Sequence, residues 1–446
     1  MNLKYSLNKV WRSNTQKVMS LTVFGMMLAF IMDIMIAAKL GTGETADSLI
    51  LALTLPIMLD TIVREGTQSS LIPLFMERKA NLHPKKFQYF ISGLCNFGFL
   101  IGIIITIAIE IFAPIFIPLV APNISVEGQS QTVFLLQVCA PLIFFLPNIT
   151  VFSVLLNSRK NFSTAALRNA VVKGLVVFAV IMFWQDPDIS YMVAATHVVG
   201  FAIFFLMLYV ESYRGGFRYQ WLALPSKQDL QKLASFCSYP TLGFALGQGT
   251  RLVERLLASL VAVGGVSAYY FAFRIFSSIQ TIIGASIATT SLPAMTEQNL
   301  AGNQAHLTRI IRKNSLSTLA LTVPLTLIIA IFHKNLISIF YQRGSFDATS
   351  ANLTSQVLFW LSLGLVFSCI IPPLQSVLYA KQKYRAIFLN RLLAVMIDLS
   401  LAWFLSQIFG LIGIAIALSI SAAFSSFNLI YILNRLGIHL IAQFKK

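Results

Sequence analysis

Long apolar blocks recur along the whole chain and are separated by short polar loops. Each block holds about 20 residues, the length that an α-helix needs to cross roughly 30 Å of hydrocarbon. The pattern predicts about twelve membrane-spanning helices, at residues 20–38, 48–76, 88–112, 132–156, 165–184, 189–210, 235–262, 267–293, 315–340, 352–380, 386–408 and 410–435. We therefore expect an all-α polytopic membrane protein.

Composition supports this interpretation. Of the 446 residues, 57% are hydrophobic and only 11% are charged, and the mean hydropathy is +0.77. Soluble domains carry about 25% charged residues. Cys95, Cys139, Cys237 and Cys369 are scattered singly through apolar blocks, a pattern that indicates neither a disulfide framework nor a metal site. We expect no cofactor.

Basic residues are concentrated in alternate loops. They are Lys4, Lys9, Arg12, Lys17, Arg78, Lys79, Lys85, Lys86, Arg159, Lys160, Arg214, Arg218, Lys227, Arg309, Arg312, Lys313, Lys381, Lys383, Arg385, Lys445 and Lys446. The opposite loops hold chiefly Glu44, Asp47, Glu127, Asp186 and Asp188. Since basic loops stay on the cytoplasmic side, both termini are predicted to be cytoplasmic in a bacterial inner membrane. The net charge of +17 then reflects topology and contact with anionic membrane lipids, not nucleic-acid binding.

The two halves of the chain resemble each other. SSLIPLFMERK at 69–79 is echoed by TTSLPAMTEQN at 289–299, and VLLNSRKNF at 154–162 by VLYAKQKYR at 377–385. The second echo places Arg168 opposite Arg391. We expect two six-helix bundles around a central cavity, residues 1–210 and 235–446, joined by a cytoplasmic linker at 211–234. Repeats of this kind are typical of transporters.

Charged residues interrupt several of the predicted spans. In LPIMLDTIVREGTQSSLIP at 55–73, Asp60 and Arg64 stand four residues apart and Glu65 lies beside them, so we expect the first two to pair along a cavity-lining stripe. The alternative is a pair that only fixes helix packing. Further charges inside spans are Asp33, Lys173, Arg251, Glu254, Arg255, Arg274 and Asp398. Because charges at membrane depth are costly, so many of them indicate a polar substrate.

Four stretches carry a resemblance to a known family. They are DIMIAAKLGTGETADSLILALTLP from residue 33, REGTQSSLIPLFMERK from 64, YYFAFRIFSSIQTIIGASIATTSLP from 269 and LISIFYQRGSFDATSANLTSQVLFWLSLGL from 336. The chain resembles the MurJ or MviN lipid II flippases of the multidrug/oligosaccharidyl-lipid/polysaccharide exporter superfamily. The resemblance implies movement of an undecaprenyl-diphosphate-linked saccharide from the cytoplasmic to the periplasmic leaflet by alternating access. Arg274 matches a family arginine that grips the diphosphate.

The resemblance also implies a coupling cation, Na⁺ or H⁺. Glu254 and Asp398 align with positions where sodium-binding members of the family place their ligands. Pairing of Glu254 with Arg251 or Arg255 is the alternative from spacing alone.

The chain departs from the family pattern at two places. An Arg-Asp pair reads Met32-Asp33 here, and an Arg-Arg pair reads Asp60-Thr61. We expect Arg64, with Arg251 or Arg255, to supply the missing positive charge.

Two alternatives to lipid II flipping stay open. One is a Wzx-type flippase for the lipid-linked oligosaccharide of an exopolysaccharide or O-antigen. The other is a cation-coupled multidrug exporter, although such a protein favours an acidic cavity and the charges in these spans lean positive.

An enzyme is not expected. The five histidines are dispersed, the carboxylates do not cluster at a membrane face, and no P-loop is present. His197 stands alone in its span, so we expect it to be a satisfied core residue.

Overall fold

Helices are the regular secondary structure throughout the computed structural model, which describes residues 2–159 and 161–438. The all-α prediction is confirmed. Lys160, Lys445 and Lys446 of the basic loops lie outside the described residues. Within the described residues, ten helical stretches are long and apolar enough to span a membrane, and a bent helix pair makes a possible eleventh. The chain is therefore a multi-pass membrane protein, whereas the predicted number of twelve spans is not confirmed.

The first compact unit comprises Met1–Leu40 and Glu44–Gln248. Its helices are α1 (Asn2–Leu40), α2 (Glu44–Asn81), α3 (Pro84–Val120), α4 (Val126–Cys139), α5 (Leu142–Ser158), α6 (Ser163–Ala166), α7 (Arg168–Met182), α8 (Ile189–Arg214) and the first part of α9 (Lys227–Val261). Within it, α1 packs along α7, and both α2 and α3 pack along α5. Gly25 allows the first of these approaches, because a Cβ there would lie 2.8 Å from the Asn169 Cβ.

The second compact unit comprises Gly41–Gly43 and Gly249–Lys446. Its helices are the end of α9, α10 (Gly265–Gln280), α11 (Ser286–Leu300), α12 (Gln304–Tyr341), α13 (Ala348–Leu363), α14 (Leu365–Ala380), α15 (Tyr384–Phe409) and α16 (Leu411–Arg435). A π-helical turn, Thr281–Ala285, joins α10 to α11. The Phe271 ring of α10 packs against the rings of Tyr341 and Phe346, and its centroid lies 5.1 and 5.8 Å from theirs.

Local sequence signals account for several helix ends. Ser125 accepts a hydrogen bond from the Gly128 backbone N–H at the start of α4, and Asp347 accepts one from the Ser350 N–H at the start of α13. Such side-chain oxygens satisfy N–H groups that have no partner within the helix. Gly410, with φ of +61°, separates α15 from α16, in a region of backbone conformation that favours glycine.

Two predicted spans differ in form from a simple apolar helix. The tenth, at 352–380, is a pair of helices, α13 and α14, that meet at an angle of 45°. The seventh, at 235–262, falls on α9, which is a continuous helix but is not among the ten apolar stretches. Arg251, Glu254 and Arg255 place three charged side chains within two turns at the end of α9. Irregular or polar helix segments at membrane depth are tolerated where they face protein or a cavity.

Large apolar side chains are exposed along the helices, as expected for a surface in contact with lipid. On α3, the exposed fractions are 54% for Leu100, 57% for Ile104 and 61% for Ile111. Water-soluble proteins rarely expose a continuous apolar face of this size. The interior of the first unit, by contrast, contains buried polar residues, among them Asp33, Asp60 and His197.

Candidate functional site

Asp60 on α2 is buried and forms a salt bridge with Arg168 at the start of α7. The Asp60 Oδ2 atom accepts a hydrogen bond from Arg168 Nη2. The Arg168 guanidinium also lies over the Phe201 ring, 5.3 Å from its centroid. A cation over an aromatic face gains further electrostatic stabilisation. The charged stripe of α2 is thereby joined to α7 and α8.

Arg64 forms its salt bridge with its sequence neighbour Glu65. The predicted Asp60–Arg64 pair is therefore wrong. Four-residue spacing puts the two side chains on one helix face, but it does not prevent a residue from another helix from taking either partner. Asp60 pairs with Arg168, and Arg64 pairs with Glu65.

A cavity of about 320 Å³ lies in the first unit among α1, α2, α5, α6 and α7. Its polar lining includes Arg64, Arg168, Thr150, Ser153 and Asn157. The Nε atoms of both arginines and the Asn157 Oδ1 atom are buried and have no hydrogen-bond partner among the described residues. Buried polar atoms are normally satisfied, so these two donors and one acceptor mark the cavity wall as a candidate polar binding region.

Asp33 and His197 are fully buried elsewhere in the first unit. Asp33 lies on α1 and is not among the described residues that line the cavity. The His197 Nδ1 atom lies 2.8 Å from the Val193 carbonyl oxygen, and its Nε2 atom lies 3.0 Å from Lys173 Nζ. Because a carbonyl only accepts, Nδ1 carries the proton and Nε2 accepts from the ammonium. The prediction of a satisfied core histidine is confirmed.

In the second unit, two buried carboxyl groups meet. Glu254 on α9 and Asp398 on α15 lie within hydrogen-bonding reach of each other. The Tyr269 hydroxyl on α10 donates to Glu254 Oε2 at 3.0 Å. Ser421 on α16 lies near Asp398, and its hydroxyl donates to the Leu418 carbonyl at 3.1 Å. Four helices thus supply oxygen atoms to one small region.

Arginines surround this carboxyl pair. The Arg251 guanidinium interacts electrostatically with both carboxyl groups and lies over the Phe273 ring, 4.1 Å from its centroid. Arg255 lies over the Tyr270 ring at 5.4 Å. The fold therefore brings together four residues that the sequence marked separately, Arg251, Glu254, Arg255 and Asp398.

Arg274 is half-buried on α10, one turn after Tyr270. Its backbone carbonyl accepts hydrogen bonds from the hydroxyls of Ser277, at 3.2 Å, and Ser278, at 2.7 Å. The π-helical turn begins seven residues after Arg274. Such turns inside α-helices are frequent at functional sites because they change the direction of the side chains that follow.

Sequence reasoning missed two arginines. Arg168 and Arg391 were marked only as equivalent positions of the two halves, yet Arg168 binds Asp60 and Arg391 interacts electrostatically with Arg251. The repeat itself was the signal, because a basic residue recurs at the same offset. Among the residues that the structure describes, no group of three or more His, Cys, Asp or Glu side chains is placed to hold a metal ion.

Comparison with known proteins gives a consistent result. A family model described as lipid II flippase MurJ matches residues 36–445. A probable lipid II flippase MurJ of Buchnera aphidicola subsp. Schizaphis graminum is 24% identical over 426 residues, which cover 94% of this chain and 82% of the relative. Its counterpart in Thermotoga maritima is 24% identical over 400 residues, with 90% and 80% covered.

Solved structures share the fold. A lipid II flippase MurJ in an inward closed conformation superposes with a TM-score of 0.83 at 18% identity, covering 94% of this chain and 87% of that one. An inward-facing multidrug resistance MATE family transporter gives a TM-score of 0.77 at 14% identity, covering 93% and 94%. At such identities the likeness shows the fold alone.

Proposed function

The chain belongs to the lipid II flippase MurJ family, and from this we propose that it moves lipid II from the cytoplasmic to the periplasmic leaflet by alternating access. The observation that carries the proposal is the family match along residues 36–445, nearly the whole chain. We keep the division into halves 1–210 and 235–446, with a linker at 211–234, as part of this proposal. Transport of this kind changes no covalent bond, so no enzymatic activity is proposed.

The proposed substrate contact is made by arginines, with Arg274 as the principal one. The planar guanidinium group offers two parallel N–H donors to phosphate oxygens and keeps its charge in a poorly hydrated site. Arg251 and Arg255 lie on the preceding helix of the same unit and add positive charge. Stacking on Phe273 and Tyr270 restricts both guanidinium groups, which lowers the entropy lost when an anion binds.

The cavity of the first unit is proposed as a second polar contact for the substrate. Arg64 uses its Nη1 atom for Glu65, which leaves its Nε–Nη2 edge for another acceptor. Asp60 holds Arg168 in place, so its role is to position that arginine. Asp33 is proposed to act from α1 as a further polar group of the transport path.

The membrane potential favours the proposed direction of transport. A diphosphate of charge about −2 that crosses the whole field outward, from an inside-negative cytoplasm, gains roughly 4 to 5 kcal/mol per 100 mV. Export therefore has a driving force even without a coupled ion.

A coupling cation is proposed at the Glu254–Asp398 pair. Two negative charges within hydrogen-bonding reach repel each other, and either a bound Na⁺ or a shared proton removes that repulsion. The Tyr269 and Ser421 hydroxyls supply the kind of neutral oxygen that completes the shell of a hard cation.

The proposed location is the bacterial inner membrane, with both termini in the cytoplasm. The concentration of basic residues in alternate loops supports this orientation. Membrane lipids are then the surrounding partner, and no nucleic acid is involved.

The test is a flipping assay with the purified full chain in proteoliposomes. Fluorescent lipid II, an undecaprenyl-diphosphate oligosaccharide without a peptide, and a cationic dye are offered in separate arms. Faster movement of lipid II alone is the expected result. Preference for the peptide-free oligosaccharide favours a Wzx-type flippase, dye export favours a drug exporter, and either result contradicts the proposal. The curated relatives reported above do not favour these two alternatives.

A further inference from the structure

Residues 217–226, here called the strap, connect α8 to α9 without forming a helix. The strap runs along the first turns of α3 in the first compact unit. The Leu224–Pro225 peptide passes so close to α3 that a Cβ on Gly93 would lie 2.8 Å from its carbonyl carbon. An irregular segment in this position must find partners for its backbone N–H and C=O groups.

Polar residues of α3 supply those partners. Gln88, Ser92 and Asn96 recur every four residues and therefore form one row on the helix. Gln88 Nε2 donates to the Gly216 carbonyl at 3.1 Å, just before the strap, and the Gln220 N–H donates to Ser92 Oγ at 3.1 Å.

Asn96 makes the largest number of these contacts. Its Nδ2 atom donates to two strap carbonyls, those of Trp221 and Ala223, both at 2.8 Å. The Tyr219 hydroxyl donates to the Asn96 Oδ1 atom. Three backbone groups of the strap, the Gln220 N–H and the Trp221 and Ala223 carbonyls, are thus hydrogen-bonded to the helix.

Some side chains of the strap are buried against the protein, and others are exposed. Phe217 and Ala223 are buried, and the Phe217 ring packs against Phe152 with centroids 5.7 Å apart. Trp221, Leu222 and Leu224 point outward instead, with exposed fractions of 84%, 92% and 70%. Three apolar side chains this exposed within four consecutive residues would be unfavourable in water.

The surface that they extend is an exposed apolar side of α3. With 100° per residue, Asn96 lies on the same helix face as Leu100, Ile107 and Ile111, all of which are exposed. The apolar strap side chains therefore continue that face toward the basic-loop end of the helix. Lys85 and Lys86, at the start of α3, are exposed at the same end, where long basic side chains reach lipid phosphates.

We propose that the strap is seated in the membrane interface on the basic-loop side, with Trp221, Leu222 and Leu224 in contact with lipid acyl chains. Its partner is the lipid bilayer, and tryptophan is a residue that membrane interfaces favour. The strap also leads into α9, whose first turns are held to α2 by Arg78–Asp229 and Lys232–Glu77 salt bridges. Lipid contact thus anchors the entry of α9 to the first unit.

Spin labels at two positions test the proposal in proteoliposomes of the full chain. Leu222→Cys is compared with Gln228→Cys, an exposed position two residues past the strap, in a background whose four native cysteines are replaced by alanine. Accessibility is measured to oxygen, which concentrates in lipid, and to a water-soluble nickel chelate. At residue 222 we expect high oxygen and low nickel accessibility, and at 228 the reverse. High nickel accessibility at 222 would show that the side chain faces water and would overturn the proposal. Low accessibility to both reagents would show that protein covers the side chain and would also overturn it.

A second measurement needs no cysteine replacement. Lipids brominated near the headgroup end of their acyl chains should quench the tryptophan fluorescence of the wild-type protein more strongly than that of a Trp221→Phe variant. Equal quenching would contradict lipid contact.

The role of the α3 polar row is tested with the spin label at residue 222. Asn96→Ala should move that label toward water, because the Trp221 and Ala223 carbonyls lose their donor. Thr106→Ala, which removes a polar group of α3 away from the strap, serves as the control. An unchanged label in the Asn96→Ala variant would overturn the role of the α3 polar row.

Discussion

Asp60 is paired with Arg168, a residue 108 positions away in the chain, and not with Arg64 one turn along its own helix. The contact joins α2 to the start of α7 beside a polar cavity. It therefore links the stability of the first unit to the position of one of the two arginines that line this cavity.

Breaking the Asp60–Arg168 pair should destabilise the protein. Each single variant, Asp60→Ala or Arg168→Ala, leaves a buried charge uncompensated, and we expect a loss of about 3 to 5 kcal/mol in the free energy of unfolding. The exchange of both charges, Asp60→Arg with Arg168→Asp, should recover part of the loss. Thermal unfolding in detergent measures this. The control is the exchange of Asp60 with Arg64, and recovery there but not with Arg168 would refute the assigned pair.

Arg274→Lys should bind the substrate poorly although the charge is kept. A lysine cannot reproduce a two-pronged contact with a diphosphate, and loss of one charge-assisted hydrogen bond weakens binding by about 10- to 100-fold. Arg274→Ala should be worse. Binding of lipid II and transport are measured at matched membrane abundance, with the exposed Arg312→Lys as control. Normal binding by Arg274→Ala would remove the principal support for an arginine contact.

Glu254→Gln and Asp398→Asn should each abolish the dependence of transport on a cation gradient. Removing one carboxyl charge removes the repulsion that a cation relieves, while most of the side-chain volume is kept. Transport is measured under a Na⁺ gradient and, separately, under a pH gradient, which distinguishes the two ions. Glu127→Gln, at an exposed position in the first turn of α4, is the control. Gradient dependence that survives in both variants would place the coupling site elsewhere.

Cysteines introduced at Val126 and Gln228 should react with impermeant reagents from opposite sides of the membrane. Both residues are exposed. Gly128 and Ser226 are unsuitable alternatives, since a Cβ at Gly128 would lie 2.3 Å from Glu44 Oε1 and Ser226 hydrogen-bonds Asp229. Labelling from the same side would contradict the predicted topology.

The Lys232–Glu77 salt bridge should make a small, pH-dependent contribution to stability. The hydrogen bond and the charge of Lys232 lower the pKa of Glu77 from its ordinary value of 4.5. A lowered carboxyl pKa stabilises the fold above the unfolded value, and that stabilisation is lost as the pH falls through the folded value. Thermal midpoints of the wild type and Lys232→Ala should therefore differ near neutral pH and converge in acid. Because both side chains are partly exposed, about 1 M salt should also remove the difference. A difference that persists in acid would point to packing instead.

The sequence predicted which residues belong to the candidate site, but it did not predict which of them contact each other. Arg251, Glu254, Arg255 and Asp398 stand out because charges in apolar spans are rare. The contact between Glu254 and Asp398 depends on how α9 and α15 are rotated against each other. The hydrogen bond from the Tyr269 hydroxyl to Glu254 depends in the same way on the rotation of α10. The spacing within one helix contains no information on that rotation.

The sequence by itself determined that this protein is a helical membrane protein and that its family is that of the MurJ flippases. The reason is that apolar length and the absence of water at membrane depth act on each segment separately, and only a helix satisfies its own backbone there. Tertiary structure decided the pairing of Asp60 with Arg168, the meeting of Glu254 with Asp398, and the docking of the strap on Asn96. Each of these joins residues from different helices or loops, so each depends on the depth, rotation and close packing of segments that the linear pattern leaves independent.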